Sequence, residues 1–234
     1  MTTIPLEGPG TPAIEVILVP VGAECQAVQR AMKRVQKPPQ VVPIPAGPQA
    51  LQQFLAGWAG PSLAAGDGIL LLGLGGSLSP SVGRGDGVLL ETLWDEREGV
   101  AYPCPGAVTA GLSQRLPQIK VARGASCDRV ITTIAEKRQL GDRYDAAVVE
   151  MEGTTLLRGL PGCPIAILRV ISDDCHHELP DISAAIGADG SLKVITLALS
   201  FLRRPVAALR LIRGSLQGLK ALERLAVELC QQDE

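Results

Sequence analysis

The feature that most constrains the fold is an alternation of short apolar runs with segments of helix length. The clearest runs are residues 14–22, 68–76, 146–151 and 165–172. Continuous apolar runs of this kind are typical of strands that are covered on both faces. Because segments of helix length connect the runs, the pattern predicts one α/β domain built on a largely parallel sheet.

Two of these runs, AAVVEM (146–151) and IAILRVIS (165–172), lie close together in the sequence. The residues between them are sufficient for a short helix. A strand, a helix and a second strand in this order predict a right-handed parallel β-α-β unit, with the two strands as neighbours in the sheet.

The chain contains no repeat or linker that would divide it into separate domains. Residues 1–12 are rich in proline and glycine, which predicts a flexible N-terminal arm. Residues 13–234 are predicted to form the single domain. Within it, about 191–230 has apolar residues at helical spacing on both sides of Pro205, which predicts amphipathic helices broken at the proline.

The balance of charge excludes some classes of partner. The 234 residues include 22 Lys and Arg against 24 Asp and Glu, a net charge of −2, whereas a nucleic-acid surface needs an excess of cations.

No basic and then apolar leader opens the sequence, and no uncharged apolar run reaches the length of about 18–20 residues that spans a bilayer. Six scattered cysteines without C-x-x-C fit reduced thiols. We expect a cytoplasmic protein with no nucleic-acid partner.

Carboxylates follow three of the predicted strands. Glu24, Glu152 and Asp173 lie at such positions, and the GLGGSL segment (73–78) is predicted to be a tight turn at the end of a fourth strand. Each acid has a plainer explanation as a helix cap or turn residue. In open parallel sheets, however, ligands bind outside the carboxyl ends of the strands. Like-charged groups that converge on one edge therefore favour a functional site.

Other reactive side chains form no recognisable catalytic or metal pattern. The His176-His177 pair has no third histidine and no H-E-x-x-H motif, so we predict a solvated turn and no metal site. Cys127 and Cys175 lack an evident paired base. Ser77 lacks the G-x-S-x-G elbow of serine hydrolases.

A pair of motifs resembles a known signature. VVEMEG (148–153) and then LRVISDD (168–174) resemble the signature of the nucleoside phosphorylase superfamily, which includes methylthioadenosine/S-adenosylhomocysteine nucleosidases and purine and uridine phosphorylases. VPVGAE (19–24), GLGGSLSPSVGRGD (73–86) and SCDRV (126–130) match in the same order. The resemblance implies a three-layer α/β/α domain with a central, mostly parallel mixed sheet.

The chain is more similar still to a branch called hopanoid-associated phosphorylase. The shared features are a TTIAEKRQL helix (132–140) and, after the Asp, a Leu-Pro, an Asp-Gly and a proline-broken helical tail. Members of this branch are thought to remove adenine from adenosylhopane, a nucleoside joined to a polycyclic lipid.

The resemblance implies a role for each matching residue. Asp173 would hydrogen-bond the purine and protonate its N7 as the base leaves. Glu152 would accept hydrogen bonds from the two ribose hydroxyls, with Met151 packed against the sugar. Glu24 would position or deprotonate the attacking water. The Gly75-Gly76-Ser77 segment would lie near the nucleophile and the sugar.

Some positions depart from the family pattern. Val130 replaces the Phe that many members stack on the purine, and the usual turn serine is displaced to Ser77. Arg84 is the nearby candidate for binding phosphate, with a solvated turn arginine as the alternative. Glu150 and Asp174 are predicted to be solvent-facing or capping residues.

Three functions remain open on this basis. The first is cleavage of the N-glycosidic bond of a purine (adenosyl) nucleoside, from a hopanoid-type lipid nucleoside. The second is a soluble methylthioadenosine/S-adenosylhomocysteine nucleosidase, and the third is a non-catalytic nucleoside-binding protein. No cofactor is expected, and inorganic phosphate would be the co-substrate if the reaction is phosphorolysis. The presence of Glu24 favours hydrolysis.

The expected partners are a small purine nucleoside and further copies of the chain, as a homodimer or a higher homo-oligomer. Residues 191–220 carry six cationic side chains and no acid. Cationic amphipathic helices can rest on anionic lipid, which predicts peripheral membrane contact through this segment. The alternative is that the helices cover the sheet and form the oligomer interface.

Overall fold

The computed structural model describes residues 13–60, 67–104, 106–180 and 205–231. The strands in these ranges are β1 (Ile14–Pro20), β2 (Gln40–Ile44), β3 (Gly68–Ser77), β4 (Gly87–Asp95), β5 (Val100–Pro103), β6 (Lys120–Ser126), β7 (Val148–Glu150) and β8 (Ile165–Asp173). The helices are α1 (Ala23–Met32), α2 (Pro48–Gly57), α3 (Gly106–Arg115), α4 (Ile134–Tyr144), α5 (Gly153–Gly159) and α6 (Pro205–Gln231).

The strands form one mixed sheet that closes on itself over part of its width. β2, β1, β3 and β8 lie side by side and parallel. β8 then pairs antiparallel with β4, β4 and β6 pair in parallel, and β6 pairs in parallel with β7. β7 returns to β3, antiparallel, and β5 extends β4 at the edge. The predicted central, mostly parallel mixed sheet is confirmed.

Helices cover both faces of this sheet, because its strands alternate their apolar side chains between the two sides. In β3, Leu70 and Leu72 pack in one core cluster with side chains from α1, α3 and α6. Ile69 and Leu71 face the other way, into a cluster that includes side chains of α2 and α5. Period-two alternation within a continuous apolar run therefore produces the predicted three-layer arrangement.

The predicted parallel unit around α5 is wrong. β7 pairs with β6 and with the end of β3, where Val148 lies opposite Ser77 and Val149 opposite Gly76 in an antiparallel register. β8 is parallel to β3, so β7 and β8 run in opposite directions on either side of it. An apolar run indicates burial but not direction, and β6 and β3 determine the direction of β7.

The long C-terminal helix begins at the predicted proline. α6 starts at Pro205, where a helix tolerates the missing N–H, and continues for 27 residues. The second helix predicted before Pro205, and the predicted arm at residues 1–12, lie outside the described residues. Among the helices that the structure describes, none is both long and apolar enough to cross a membrane.

Candidate active site

A buried arginine pairs with two acidic residues at the end of β7. Arg169 lies in β8 with no exposed surface. Its guanidinium forms an ion pair with Glu150 and donates from Nη2 to Oε2 of Glu152 at 3.0 Å. Arg169, Glu150 and Glu152 are all buried, so these ion pairs are important for stability, because a buried charge without a partner is strongly destabilising.

Glu150 is a buried anchor of this group, so the prediction of a solvent-facing residue is wrong. Its side chain is 4% exposed. Besides contacting Arg169, it accepts hydrogen bonds from the backbone N–H groups of Glu152 at 3.0 Å and Gly153 at 2.8 Å. These N–H groups lie at the start of α5, so the capping part of the expectation agrees with the structure.

Glu152 and Glu24 are the other two carboxyl groups near Arg169. Glu152 accepts a hydrogen bond from the backbone N–H of Gly47 at 2.9 Å, and burial raises its pKa although Arg169 opposes the rise. Glu24, at the start of α1, accepts from the N–H of Leu74. Burial raises the pKa of Glu24 to about 7, and the nearby Glu152 charge adds to the rise. Near neutral pH, Glu24 can therefore both hold and release a proton.

The glycine segment that was predicted to be a turn is part of β3, which continues to Ser77. Its glycines allow charged side chains to approach the strand. A Cβ atom at position 73 would lie 2.6 Å from Nη1 of Arg169 and 2.8 Å from Oε1 of Glu24. A Cβ atom at Gly76 would lie 3.1 Å from a carboxylate oxygen of Asp173. The sequence GLGG thus leaves space for side chains that converge from β8 and α1.

Asp173 lies at the end of β8, where the strand pairing contains an extra residue. Gly75 pairs with Ile171 and Gly76 pairs with Asp173, which leaves Ser172 as a bulge. Bulges commonly redirect side chains next to active sites. The Ser172 hydroxyl donates to Oδ1 of Asp173 at 2.9 Å.

A buried lysine that the sequence analysis did not select contacts the same carboxylate. Lys137 in α4 has no exposed surface and donates to Oδ2 of Asp173. It also donates to the backbone carbonyl of Asp174 at 2.7 Å. Lys137 precedes the buried Leu140 by three residues and the buried Tyr144 by seven, so the three side chains share one side of α4. A lysine on the apolar side of a predicted helix is the sequence signal that could have identified Lys137 as a buried, paired residue.

The remaining predicted residues lie around these two groups. Met151 is partly buried, with its methyl group 3.8 Å from where a Cβ atom of Gly47 would lie. Ser77 is fully buried and donates to the carbonyl of Ser79 at 2.8 Å. Val130 is partly buried in the loop after β6.

Arg84, the candidate phosphate ligand, forms an ion pair with Asp174. Asp174 also accepts from Nδ1 of His177 at 2.8 Å, so it is a partly buried pairing residue. In the described part of the chain, no three His, Cys, Asp or Glu side chains are placed to hold a metal ion.

The mixed sheet and its two helical layers form a fold that is also found in other solved structures. The solved structures that share it include several nucleosidases. Futalosine hydrolase of Helicobacter pylori matches with a TM-score of 0.65 and 15% identity, over 95% of this chain and 98% of that one.

Two other solved nucleosidases match similarly. The 5′-methylthioadenosine/S-adenosylhomocysteine nucleosidase of Helicobacter pylori has a TM-score of 0.60 and 18% identity, over 92% and 98% of the chains. The 5′-methylthioadenosine nucleosidase of Arabidopsis thaliana has a TM-score of 0.61 and 17% identity, over 94% and 96%. No protein-family model matches the chain, and no curated protein matches its sequence. At these identities, the similarity confirms the fold that the motifs predicted.

Proposed function

We propose that the chain cleaves the N-glycosidic bond of a purine nucleoside and releases the base. The observation that carries this proposal is that buried carboxyl groups lie beside both ends of the glycine segment of β3. Glu24 lies beside Gly73, and Asp173 lies beside Gly76. Three residues of an extended strand span about 10 Å. A nucleoside is long enough to place its ribose near the first group and its base near the second.

The chemistry of the reaction matches these groups. Cleavage of an N-riboside passes through an oxocarbenium-like state, and a purine leaves poorly until it is protonated. In this proposal Asp173 is the group that delivers the proton to N7. Glu152 presents two acceptor oxygens to the two ribose hydroxyls. Glu24, whose pKa is about 7, activates the attacking water, because a general base works best with a pKa near the working pH.

Hydrolysis is favoured over phosphorolysis by the charge of the site. Three carboxyl groups, those of Glu24, Glu150 and Glu152, surround the single guanidinium of Arg169. A phosphate dianion would have to enter against this excess of acid. Arg84, the other candidate cation, is already paired with Asp174.

The proposed substrate is an adenosyl group carried by a bulky apolar chain, as in a hopanoid-type lipid nucleoside. Four apolar side chains of α6 support this choice, because they are exposed at helical spacing (Val206, Leu209, Ile212 and Leu216). Arg210 and Arg213 lie within the same helix segment. We place the protein in the cytoplasm, as a homodimer or a higher homo-oligomer that can contact a membrane surface.

The test is an assay of released base with purified full-length protein. Methylthioadenosine, S-adenosylhomocysteine, an adenosyl lipid and inosine are compared, each with and without inorganic phosphate. Hydrolysis requires turnover that is independent of phosphate and yields an unphosphorylated sugar product with a hydroxyl group at C1′. Adenine binding in calorimetry without release of base from any substrate would instead support a non-catalytic nucleoside-binding protein.

Substitution of the proposed acid gives the first prediction. Asp173→Asn is expected to lower kcat by about 10²–10⁴-fold, because the amide cannot protonate the leaving base. Asp174→Asn changes the adjacent carboxylate, which is engaged with Arg84 and His177, and is the matched control that should retain activity. Full activity of Asp173→Asn would refute the assignment.

A further inference from the structure

The ion pair between Lys137 and Asp173 is unusual because the lysine is completely enclosed. Lysine is almost never fully buried unless it is paired. A buried ion pair also stabilises a fold no better than well-packed apolar residues would, since both charges lose their water. Stability alone therefore does not account for an ammonium group at this point of the core.

The position of Lys137 is set firmly by α4. Thr133 caps the helix, and its hydroxyl accepts from the N–H of Glu136 at 3.2 Å. One turn beyond the lysine, a Cβ atom at Gly141 would lie only 3.0 Å from the carbonyl oxygen of Leu78. The helix thus packs closely against the chain that follows β3, and its first turns bring Lys137 to Asp173.

The contacts of Asp173 place a hydrogen-bond donor at each of its carboxylate oxygens. Both of its carboxylate oxygens accept hydrogen bonds, Oδ1 from the Ser172 hydroxyl and Oδ2 from Lys137. In this ion pair the carboxylate is an acceptor and has no proton of its own to donate. The ammonium of Lys137 carries three protons and lies in direct contact with the carboxylate that faces the proposed base site.

We propose that Lys137 supplies, through Asp173, the proton that the departing base takes; this rests on the proposed nucleoside cleavage. As the C1′–N9 bond breaks, its electron pair moves onto the purine. The ammonium of Lys137 transfers a proton to the Asp173 carboxylate, and the resulting carboxyl group passes a proton to the purine N7. The neutral amine regains a proton from water after the base leaves. Lys137 is thus a positioning residue that acts through Asp173.

The test compares two leaving groups. The first is the purine of the best nucleoside found in the assay above. The second is the nitrophenolate of a nitrophenyl riboside, which departs without protonation. Lys137→Gln retains an N–H donor for Asp173 but has no ammonium proton, and Lys137→Arg retains the positive charge. Lys120, which pairs with Asp86 at the surface, provides the matched control Lys120→Met.

Lys137→Gln is expected to lower kcat for the purine nucleoside by about 10²–10³-fold with little change in KM. Its kcat for the nitrophenyl riboside should change less than about fivefold. Lys137→Arg keeps the positive charge but its guanidinium does not give up a proton, so it should remain about as slow as Lys137→Gln on the purine nucleoside, and Lys120→Met should match the wild type. Equal losses of Lys137→Gln on both substrates, or no loss on either, would overturn the proton-supply role while the proposed function stands.

Lys137→Gln leaves the buried Asp173 carboxylate without its charged partner. A second comparison avoids this. In an Asp173→Asn background, Lys137→Met removes the lysine that has lost its charged partner, so the double variant contains no lone buried charge at this pair. If the two residues act as one unit, the double variant should cleave the purine nucleoside as slowly as Asp173→Asn alone. If Lys137→Met instead slows the Asp173→Asn variant further, so that the losses of the two substitutions multiply, the inference is overturned. Wild-type protein that releases neither leaving group would overturn both the inference and the proposed function.

Discussion

At the scale of single residues, the chain concentrates charge in its interior. The Arg169 guanidinium is surrounded by acids, yet its Nε and Nη1 atoms have no hydrogen-bond partner among the described residues. Oε1 of Glu150 is likewise unsatisfied within the part of the chain that the structure describes. A buried polar atom without a protein partner is costly unless a water molecule or a bound ligand satisfies it.

The raised pKa of Glu24 makes stability depend on pH. An unfolded Glu titrates at 4.5, whereas the folded carboxyl group holds its proton up to about 7. Between these values the native state binds more protons than the unfolded state, so the free energy of unfolding falls as pH rises from 4.5 to 7 and then levels off. The contribution of Glu24 to this fall is no more than about 3 kcal/mol.

Glu24→Gln is expected to remove this part of the pH dependence, so the variant should gain stability relative to wild type as pH rises. Urea unfolding at pH 5 and at pH 7.5 measures the difference. Glu91→Gln removes an exposed carboxylate of β4 as the control. An identical difference between wild type and Glu24→Gln at both pH values would contradict the prediction.

At the scale of elements, α6 packs on the strand that ends in the proposed acid. Gly214 and Gly218 let this helix approach the β8 backbone, and a Cβ atom at Gly214 would overlap the carbonyl oxygen of Ser172. Ser172 is the bulged residue that hydrogen-bonds Asp173. The position of α6 is therefore linked to the position of the Asp173 carboxylate, the proposed acid.

Gly214→Ala tests this link. Alanine favours a helix over glycine by about 1 kcal/mol, but overpacking against rigid backbone costs about 1–3 kcal/mol. We expect a net loss of stability, seen as a lower Tm, together with reduced kcat. Gly57→Ala, at the end of α2 with no atom within 4 Å of the new Cβ, is the control and should not lower Tm. A Gly214→Ala variant with unchanged Tm and kcat would contradict the close packing.

At the scale of the whole molecule, the exposed apolar residues of α6 form the surface proposed to contact lipid. Leu209 and Leu216 are 49% and 55% exposed. We expect the protein to co-sediment with anionic vesicles more than with neutral ones, and a Leu209→Glu/Leu216→Glu variant to lose that binding. Val121→Glu, at another exposed apolar position, is the control. Absence of wild-type binding to anionic vesicles would rule out the membrane contact.

Much of this architecture could be read from local pattern, because each apolar run must be buried wherever it lies. The apolar strands β1, β3, β7 and β8, the α/β class and the helix that begins at Pro205 follow from periodicity and from proline chemistry. Glu24 and Asp173 could be selected because Glu24 closely follows β1 and Asp173 ends β8, and both strands are parallel to β3 and adjacent to it.

Only the tertiary structure decided the direction of β7, the burial of Glu150 and the pairing of Lys137 with Asp173. Lys137 and Asp173 are 36 residues apart, and no local periodicity relates them. Strand direction and charge pairing depend on partners brought together by the closed sheet. The sequence by itself determined which apolar segments are buried and which acids lie at strand ends, because an apolar run and the residue that ends it are local features of the chain. Which charges meet is a property of the folded sheet.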